Sequence, residues 1–471
     1  MIGIAAYGAY IPIYRLSRTD IAAAWKTAPR GGEKSVANFD EDSVTMAVAA
    51  CRDCLINGNH DQVDSLYMAS TTFPYLDKQA AALVAEVLDI PRQASTVDFG
   101  DSLRAGTTAL INAVASVKSG IAHRILVTIA DGRLGAPKSD FEQLMGYGAA
   151  AFEIADCDVV AEIVATASHH DEFTDTWRQG DDHFIKSGED RFVTNEGYLR
   201  NVKQAATEMM NRLGLSPADI YKLVLYTPDF RSHVGVARQL GFDPKSQLQD
   251  TLIENVGNIG SASVPLMLVG ALEDAEPDQL ILVVSYGDGC DTLVLKTNKD
   301  IKEFSPLRGL KGHLVSKMQL RSYVDYLAFH KLLPIEPMRR SPPISSLPAR
   351  WRAQRSLLSL YGCRCRNCNT IQFPIQRICH ICRAKDDFDE VPLSNLRGKI
   401  FTFTKDNMAP SGDLPTVMTV LELENGCRFF CQMTDRDPDT VDLGMEVELT
   451  FRKLFDYAGY TNYYWKCRPV R

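Results

Sequence analysis

Long hydrophobic runs are missing from this 471-residue chain. Nowhere do about 20 apolar residues follow one another, so a helical membrane span is excluded. An excess of positive charge is missing too. Lys and Arg number 51 against 59 Asp and Glu, a net charge of −8 that speaks against bulk nucleic-acid binding. The opening segment MIGIAAYGAYIPIYRL has no basic leader and reads as a strand, so no signal peptide is expected. Cysteine is present twelve times but lacks the dense spacing of a small disulfide-stapled domain, and a reduced, cytoplasmic setting is expected. Nor is this a disordered composition. With 45% hydrophobic and 23% charged residues the chain is globular, and its length calls for two or three domains.

What is present is sharpest near the C-terminus. Cys365, Cys368, Cys379 and Cys382 form two C-x-x-C pairs across a ten-residue gap. Each pair can sit on a tight turn and aim two thiolates at one ion, and two such turns complete the tetrahedron that Zn²⁺ prefers. This predicts a zinc ribbon whose closed sulfur shell makes the metal structural. Cys363, two residues before Cys365, is poorly placed to join it. Cys51, Cys54, Cys157, Cys290, Cys427, Cys431 and Cys467 read as small buried hydrophobes.

Up to about residue 300, short apolar runs (LYMAST, RILVTIA, KLVLYTP, QLILVVSYG) alternate with segments apolar at helical spacing, such as AGTTALINAVASV and VKQAATEMMNRLG. The alternation predicts an α/β fold with parallel strands. The order of elements around 65–130 returns around 222–287, which suggests a duplicated unit. Residues 301–354 form a proline-containing arm, within a stretch to residue 360 that holds eleven Lys or Arg against three Asp or Glu. The arm reads either as a solvated connector with one or two helices or as a basic surface for nucleotide phosphates. A ribbon over 355–392 follows, and 393–471 alternates in the β manner, with ENG as a hairpin turn, as a five-stranded OB-type barrel would. Its loop TDRDPDTVDLG is acidic and unsuited to nucleic acid.

The segments STTFPY, LRAGTTAL, YGAAAFEI, LYTPD, GNIGSAS and SYGDG occur in this order and spacing. On them, residues 1–300 resemble the 3-hydroxy-3-methylglutaryl-CoA synthase branch of the thiolase superfamily. The segment from about 355 onward is similar to the zinc-ribbon/OB modules that accompany thiolases and these synthases, here fused. The resemblance implies a duplicated five-layer αβαβα fold, a dimer or higher homo-oligomer, and an acyl-CoA substrate that brings coenzyme A through a tunnel. It also implies a cysteine nucleophile at a helix N-terminus, a Glu as acid/base, a His and an Asn.

Several of those groups are replaced. The nucleophile position is Leu103, the Glu position Thr71, and the His position Tyr226; Asn258 is retained. Gly257, Gly287 and Gly289 keep the glycine turns that the resemblance places near the thioester. Ser102, with Asp101, reads as a helix N-cap rather than a substitute nucleophile. Leucine cannot carry an acyl group, so a covalent thioester route is not expected. Two readings follow. One is an aldol or retro-aldol enzyme acting next to a CoA thioester, with Tyr226 titrating below its usual value of about 10; on the bland alternative Tyr226 merely packs. The other is a cysteine-free partner of a thiolase-type assembly, its ribbon–OB lobe bridging subunits. Phe73, Tyr75 and Phe230 are candidates for the acyl pocket.

Overall fold

The computed structural model describes residues 1–55, 59–334, 344–409 and 411–471. Much of the proline-rich stretch, 335–343, lies outside the described residues. The chain divides into two compact units: one of 1–37, 42–85 and 90–323, the other of 38–41, 86–89 and 324–471.

The first unit is built on nine strands: β1 (Gly3–Tyr10), β2 (Ser65–Ala69), β3 (Ser95–Phe99), β4 (Arg124–Asp131), β5 (Gly148–Ala155), β6 (Ala161–His170), β7 (Lys222–Leu225), β8 (Leu280–Tyr286) and β9 (Gly289–Thr297), hydrogen-bonded in the order β7-β8-β9-β6-β1-β5-β4-β2-β3. β1, β4 and β5 are buried along their whole length. They read as unbroken apolar runs because helices cover both faces. Helix α1 (Ser43–Cys54) packs on β1, β4 and β5, and α2 (Ala105–Lys118) on β2, β4 and β5. Helix α3 (Arg200–Leu213) packs on β8 and β9, while α4 (Ser263–Asp274) packs on β5, β7 and β8 and touches α2. The two halves of the sheet thus enclose α2 and α4, with α1 and α3 outside, giving five αβαβα layers. The core runs through all of them.

Local sequence explains these helices. Asp42 and Thr45 form a reciprocal capping box at the start of α1. α3 buries Val202, Ala205, Ala206, Met209 and Met210 as one stripe and ends on Gly214 at φ 66°.

The duplication is present. In each half a parallel strand pair flanks a glycine-bearing helix, β2 and β4 around α2, β7 and β8 around α4, and an antiparallel strand follows, β5 or β9. Among the described pairs of this nine-stranded sheet, the expectation of parallel strands holds for β2–β3, β2–β4 and β7–β8, and the other pairs are antiparallel. The reason is connection length. β8 turns into β9 through Gly287–Asp288 with no crossover helix, so the strands must run in opposite directions.

In the second unit β10 (Tyr361–Cys365) pairs with β11 (Ile371–Gln372) and β12 (Phe388–Pro392). Strands β13 (Arg397–Asp406), β14 (Thr416–Leu423), β15 (Arg428–Met433), β16 (Glu446–Tyr457) and β17 (Tyr460–Pro469) close a barrel in the order β13-β14-β15-β17-β16. The ENG turn joins β14 to β15 with Gly426 at φ 80°. The acidic loop after β15 is not wholly solvated. Asp435 is buried and faces Arg452, with Arg468 at 3.5 Å. Arg452 also meets Glu41 at 2.7 Å and Asp40 at 3.2 Å, and Lys466 meets Asp40 at 2.8 Å. Among the described residues no helix is long and apolar enough to cross a membrane.

Candidate functional site

A cavity of about 640 Å³ opens in the first unit, where β2, β4 and β8 end. The segment after β2 supplies Ser70, Thr71, Phe73 and Tyr75. The residues before α2 supply Ser102 and Leu103, the end of β4 Arg133, the 175–182 segment Asp175 and Arg178, and the β8–β9 turn Gly287 and Asp288. A crevice beyond strand ends is where α/β sheets bind ligands.

Asp131, fully buried at the end of β4, ties these pieces together. Thr71 donates to it at 2.7 Å and Thr72 at 2.7 Å. The Ser261 amide donates at 3.0 Å and the Ser261 hydroxyl at 3.1 Å, so one carboxylate joins the two halves of the duplication. Gly260, at φ 60°, has no room for a side chain, because a Cβ there would lie 2.3 Å from Asp131 Oδ2 and 2.9 Å from Arg133 Nε.

Behind the cavity stands a chain of polar groups. Arg133 Nη2 donates to Asn258 Oδ1 at 3.1 Å, as does the Gly260 amide at 2.9 Å. Asn258 Nδ2 donates to the Tyr226 hydroxyl at 3.2 Å. The sequence had paired Tyr226 with Asn258 as site residues, and the structure brings them together, but neither lines the cavity; Arg133 does. The Tyr226 pKa moves opposite to expectation. Burial raises it, and the nearby Arg133 charge only opposes the rise. At neutral pH the side chain is a phenol. Tyr226, Tyr198 and Tyr286 form one aromatic cluster. Burial, and then the Asp175 carboxylate beside it, push the Tyr286 hydroxyl up. Asp175 is itself raised, chiefly by burial.

Leu103 and Thr71 both line the cavity, and no cysteine does so among the described residues. The N-cap expectation for Ser102 holds in part: α2 begins at Ala105 with Arg104 as its cap residue, while Ser102 Oγ accepts from the Arg104 amide at 3.4 Å and donates to Gly287 O at 3.2 Å. Asp101 lies exposed at φ 66° in the cavity lining, and no capping hydrogen bond from its side chain is found among the described residues. A Cβ on Gly287 would lie 2.9 Å from Leu103 Cβ and from Arg104 N, so the β8–β9 turn packs directly against the start of α2. Of the three glycines, Gly287 lines the cavity; Gly257 and Gly289 do not. Gly257, at φ 100°, packs instead against Leu144 and Gly146. Phe73 and Tyr75 line the cavity, whereas Phe230, at the first turn of its helix, points to solvent at 59% exposure. Cys157 is exposed, not buried, because it sits in the bend between β5 and β6. Sequence reasoning missed Arg133, Asp131 and Asp175. Asp131 and Arg133 had one visible sign: charges placed directly after the apolar run of β4.

In the second unit Cys365, Cys368, Cys379 and Cys382 converge, with their sulfurs all within 4.8 Å of one another. Cys365 and Cys382 sulfurs are 3.5 Å apart, as are those of Cys368 and Cys379. A tetrahedral ion with metal–sulfur bonds of about 2.3 Å needs edges of about 3.8 Å, so the donor set fits a metal. The two turns are alike: Asn369 and Arg383, each the residue after its C-x-x-C pair, adopt φ 58° and 63°. Cys363 stands outside, buried, its sulfur 3.5 Å from the Gln376 amide.

The hydroxymethylglutaryl-CoA synthase of Methanopyrus kandleri is 33% identical to this chain over 345 residues, covering 70% of this chain and 97% of that protein. The chain belongs to the hydroxymethylglutaryl-CoA synthase family. The family member from Methanocaldococcus jannaschii is 32% identical, with 70% of this chain and 98% of that protein covered. A crystal structure of a hydroxymethylglutaryl-CoA synthase complexed with CoA superposes with a TM-score of 0.61 at 21% identity, over 69% of this chain and 89% of that one, a likeness of fold. The profile of the 3-oxoacyl-[acyl-carrier-protein] synthase III C-terminal domain matches residues 210–295. The profile of the ChsH2 C-terminal OB-fold domain matches residues 390–452. A synthase-family portion and an OB barrel thus share one polypeptide.

Proposed function

We propose that the cavity takes an acyl thioester of coenzyme A and makes or breaks the carbon–carbon bond next to the thioester by aldol or retro-aldol chemistry, with no acyl group carried on a protein sulfur. One observation carries this: Leu103 stands just before α2, and the described lining holds no thiol. In cleavage, a base takes the proton of the 3-hydroxyl, whose oxygen becomes a carbonyl. The electron pair of the C2–C3 bond passes into the thioester as an enolate, which is then protonated at C2. Asp175 lines the cavity, and its raised pKa brings a carboxylate closer to neutrality, which suits the proton-accepting role. Tyr226, held as a phenol and set outside the cavity lining, is not the base.

The ribbon thiols are assigned to a structural Zn²⁺, since four sulfurs leave no position for substrate or water. A homo-oligomer, joined or not by a thiolase-type partner, is part of this reading, as family resemblance supports it.

The test is direct. Purified chain given a 3-hydroxyacyl-CoA is expected to release a carbonyl compound and a shortened acyl-CoA, detected by mass spectrometry. Radiolabelled acyl-CoA that leaves acid-stable label on the chain would overturn the non-covalent route. Turnover that appears only when a cysteine-bearing thiolase-type subunit is added would transfer the reading to a partner role.

A further inference from the structure

We propose that Arg133 is a catalytic residue whose guanidinium binds the negatively charged oxygen that forms on the thioester. The proposal rests on the acyl-CoA reading above and adds the group that stabilises its intermediate.

Arg133 is 6% exposed, yet it lines the cavity. A buried guanidinium is costly unless a charge or a full set of acceptors meets it. Among the described residues no carboxylate forms an ion pair with Arg133. Of its five N–H donors, one nitrogen reaches Asn258 Oδ1, the guanidinium also hydrogen-bonds the Tyr226 hydroxyl, and Nε has no partner. Asp131 lies close by, around Gly260, but both its oxygens are taken by Thr71, Thr72 and Ser261. Asp175 lines the same cavity without pairing with it. The cation is therefore held ready for an anion that the protein itself does not supply.

The position of Arg133 is enforced. It follows β4 by two residues. Its Nη2 contact is fixed by Asn258, which is fixed in turn by the Gly260 amide and by the Tyr226 hydroxyl. Tyr226 and Asn258 thereby become positioning residues that act through Arg133. The enolate of a thioester places its charge on one oxygen, and a preorganised, buried cation stabilises that charge more than bulk water does. Removing one such donor typically costs about a hundredfold or more in turnover.

The experiment compares three ligands by calorimetry: CoA, neutral S-ethyl-CoA, and S-carboxymethyl-CoA, whose carboxylate imitates the enolate. The wild-type chain is expected to bind the carboxymethyl compound about tenfold or more tightly than the ethyl one. Arg133→Met should abolish that preference with CoA affinity unchanged, and Arg133→Lys should keep part of it. In D₂O, exchange at C2 of acetyl-CoA should slow about a hundredfold in Arg133→Met. Normal CoA binding with no preference for the anion in the wild type overturns the role of Arg133 and leaves the acyl-CoA reading standing. A preference that persists in Arg133→Met does the same. Failure of the wild type to bind any of the three ligands overturns both. The wild-type comparison decides the matter even where Arg133→Met does not fold.

Discussion

His233 shows how far burial governs single residues here. It sits 1% exposed on the helix Phe230–Gln239, with no hydrogen-bond partner for its ring Nε2 among the described residues. Loss of water lowers its pKa from 6.5 to about 4. The unfolded chain accepts a proton near pH 6.5, whereas the folded chain refuses it until about pH 4. The stability that neutral His233 contributes is therefore complete above pH 6.5 and lost as the pH falls through about 4, to the extent of about 3 kcal/mol. Denaturant melts between pH 7 and 4 should show this slope, and His233→Gln should flatten it. At this scale the sequence was readable where a motif held neighbours in order. Leu103 and Thr71 were placed by their flanking segments, and both reach the cavity. Arg133 was not, because one arginine after a strand looks the same whether its side chain turns outward or inward. Phe230 failed for the matching reason: an aromatic at a helix start carries no sign of its direction. Tyr226 failed on titration, since burial is a property of the packed core and not of the residue.

Among the elements, α2 offers a gain-of-function test. Its first turn begins at Ala105, so a thiol at position 103 would lie just ahead of the positive end of the helix. Leu103→Cys is expected to be alkylated by iodoacetamide at neutral pH, with mass spectrometry placing the label at 103, and saturating CoA should protect it. A thiol that stays unmodified would mean the cavity does not admit reagents to the helix start. The ribbon gives a second prediction. Its strands β10, β11 and β12 are short, and its two knuckles are held by the cysteine cluster more than by apolar burial. Chelation of zinc should expose the 366–386 segment to proteolysis, and Cys368→Ser should do the same without chelator. The convergence of the four cysteines was legible, because ligand spacing and turn length are local. Strand existence was legible as well, and so was the repeat. Strand direction was not, because it depends on whether a connection crosses the sheet or doubles back, and β8–β9 doubles back over two residues. The start of α2 was legible only in part, because Ser102 serves both the Arg104 amide and the β8–β9 turn, which is distant in sequence.

At the scale of the molecule, the second unit gathers residues from three stretches of the chain. Its buried charges make the point. Arg452 is surrounded by Asp40, Glu41 and Asp435, and Lys466 by Asp40, all nearly inaccessible. Attraction among such groups offsets their loss of water only while every member is present. Arg452→Met should lower the stability of this unit by about 3–5 kcal/mol, as removal of one partner from a buried pair does, measured by thermal melts of the full chain. Nothing in the linear sequence announces this network, since Asp40 and Lys466 are separated by more than four hundred positions. The barrel was foreseen from its own strands; its dependence on acids from the far end of the polypeptide was not. A gene cut at residue 323 would therefore not release a self-sufficient accessory protein. The excised tail would carry Arg452 and Lys466 inward with Asp435 as their remaining nearby acid, so transplanting the ribbon–barrel module elsewhere requires carrying the Asn38–Glu41 tetrapeptide with it.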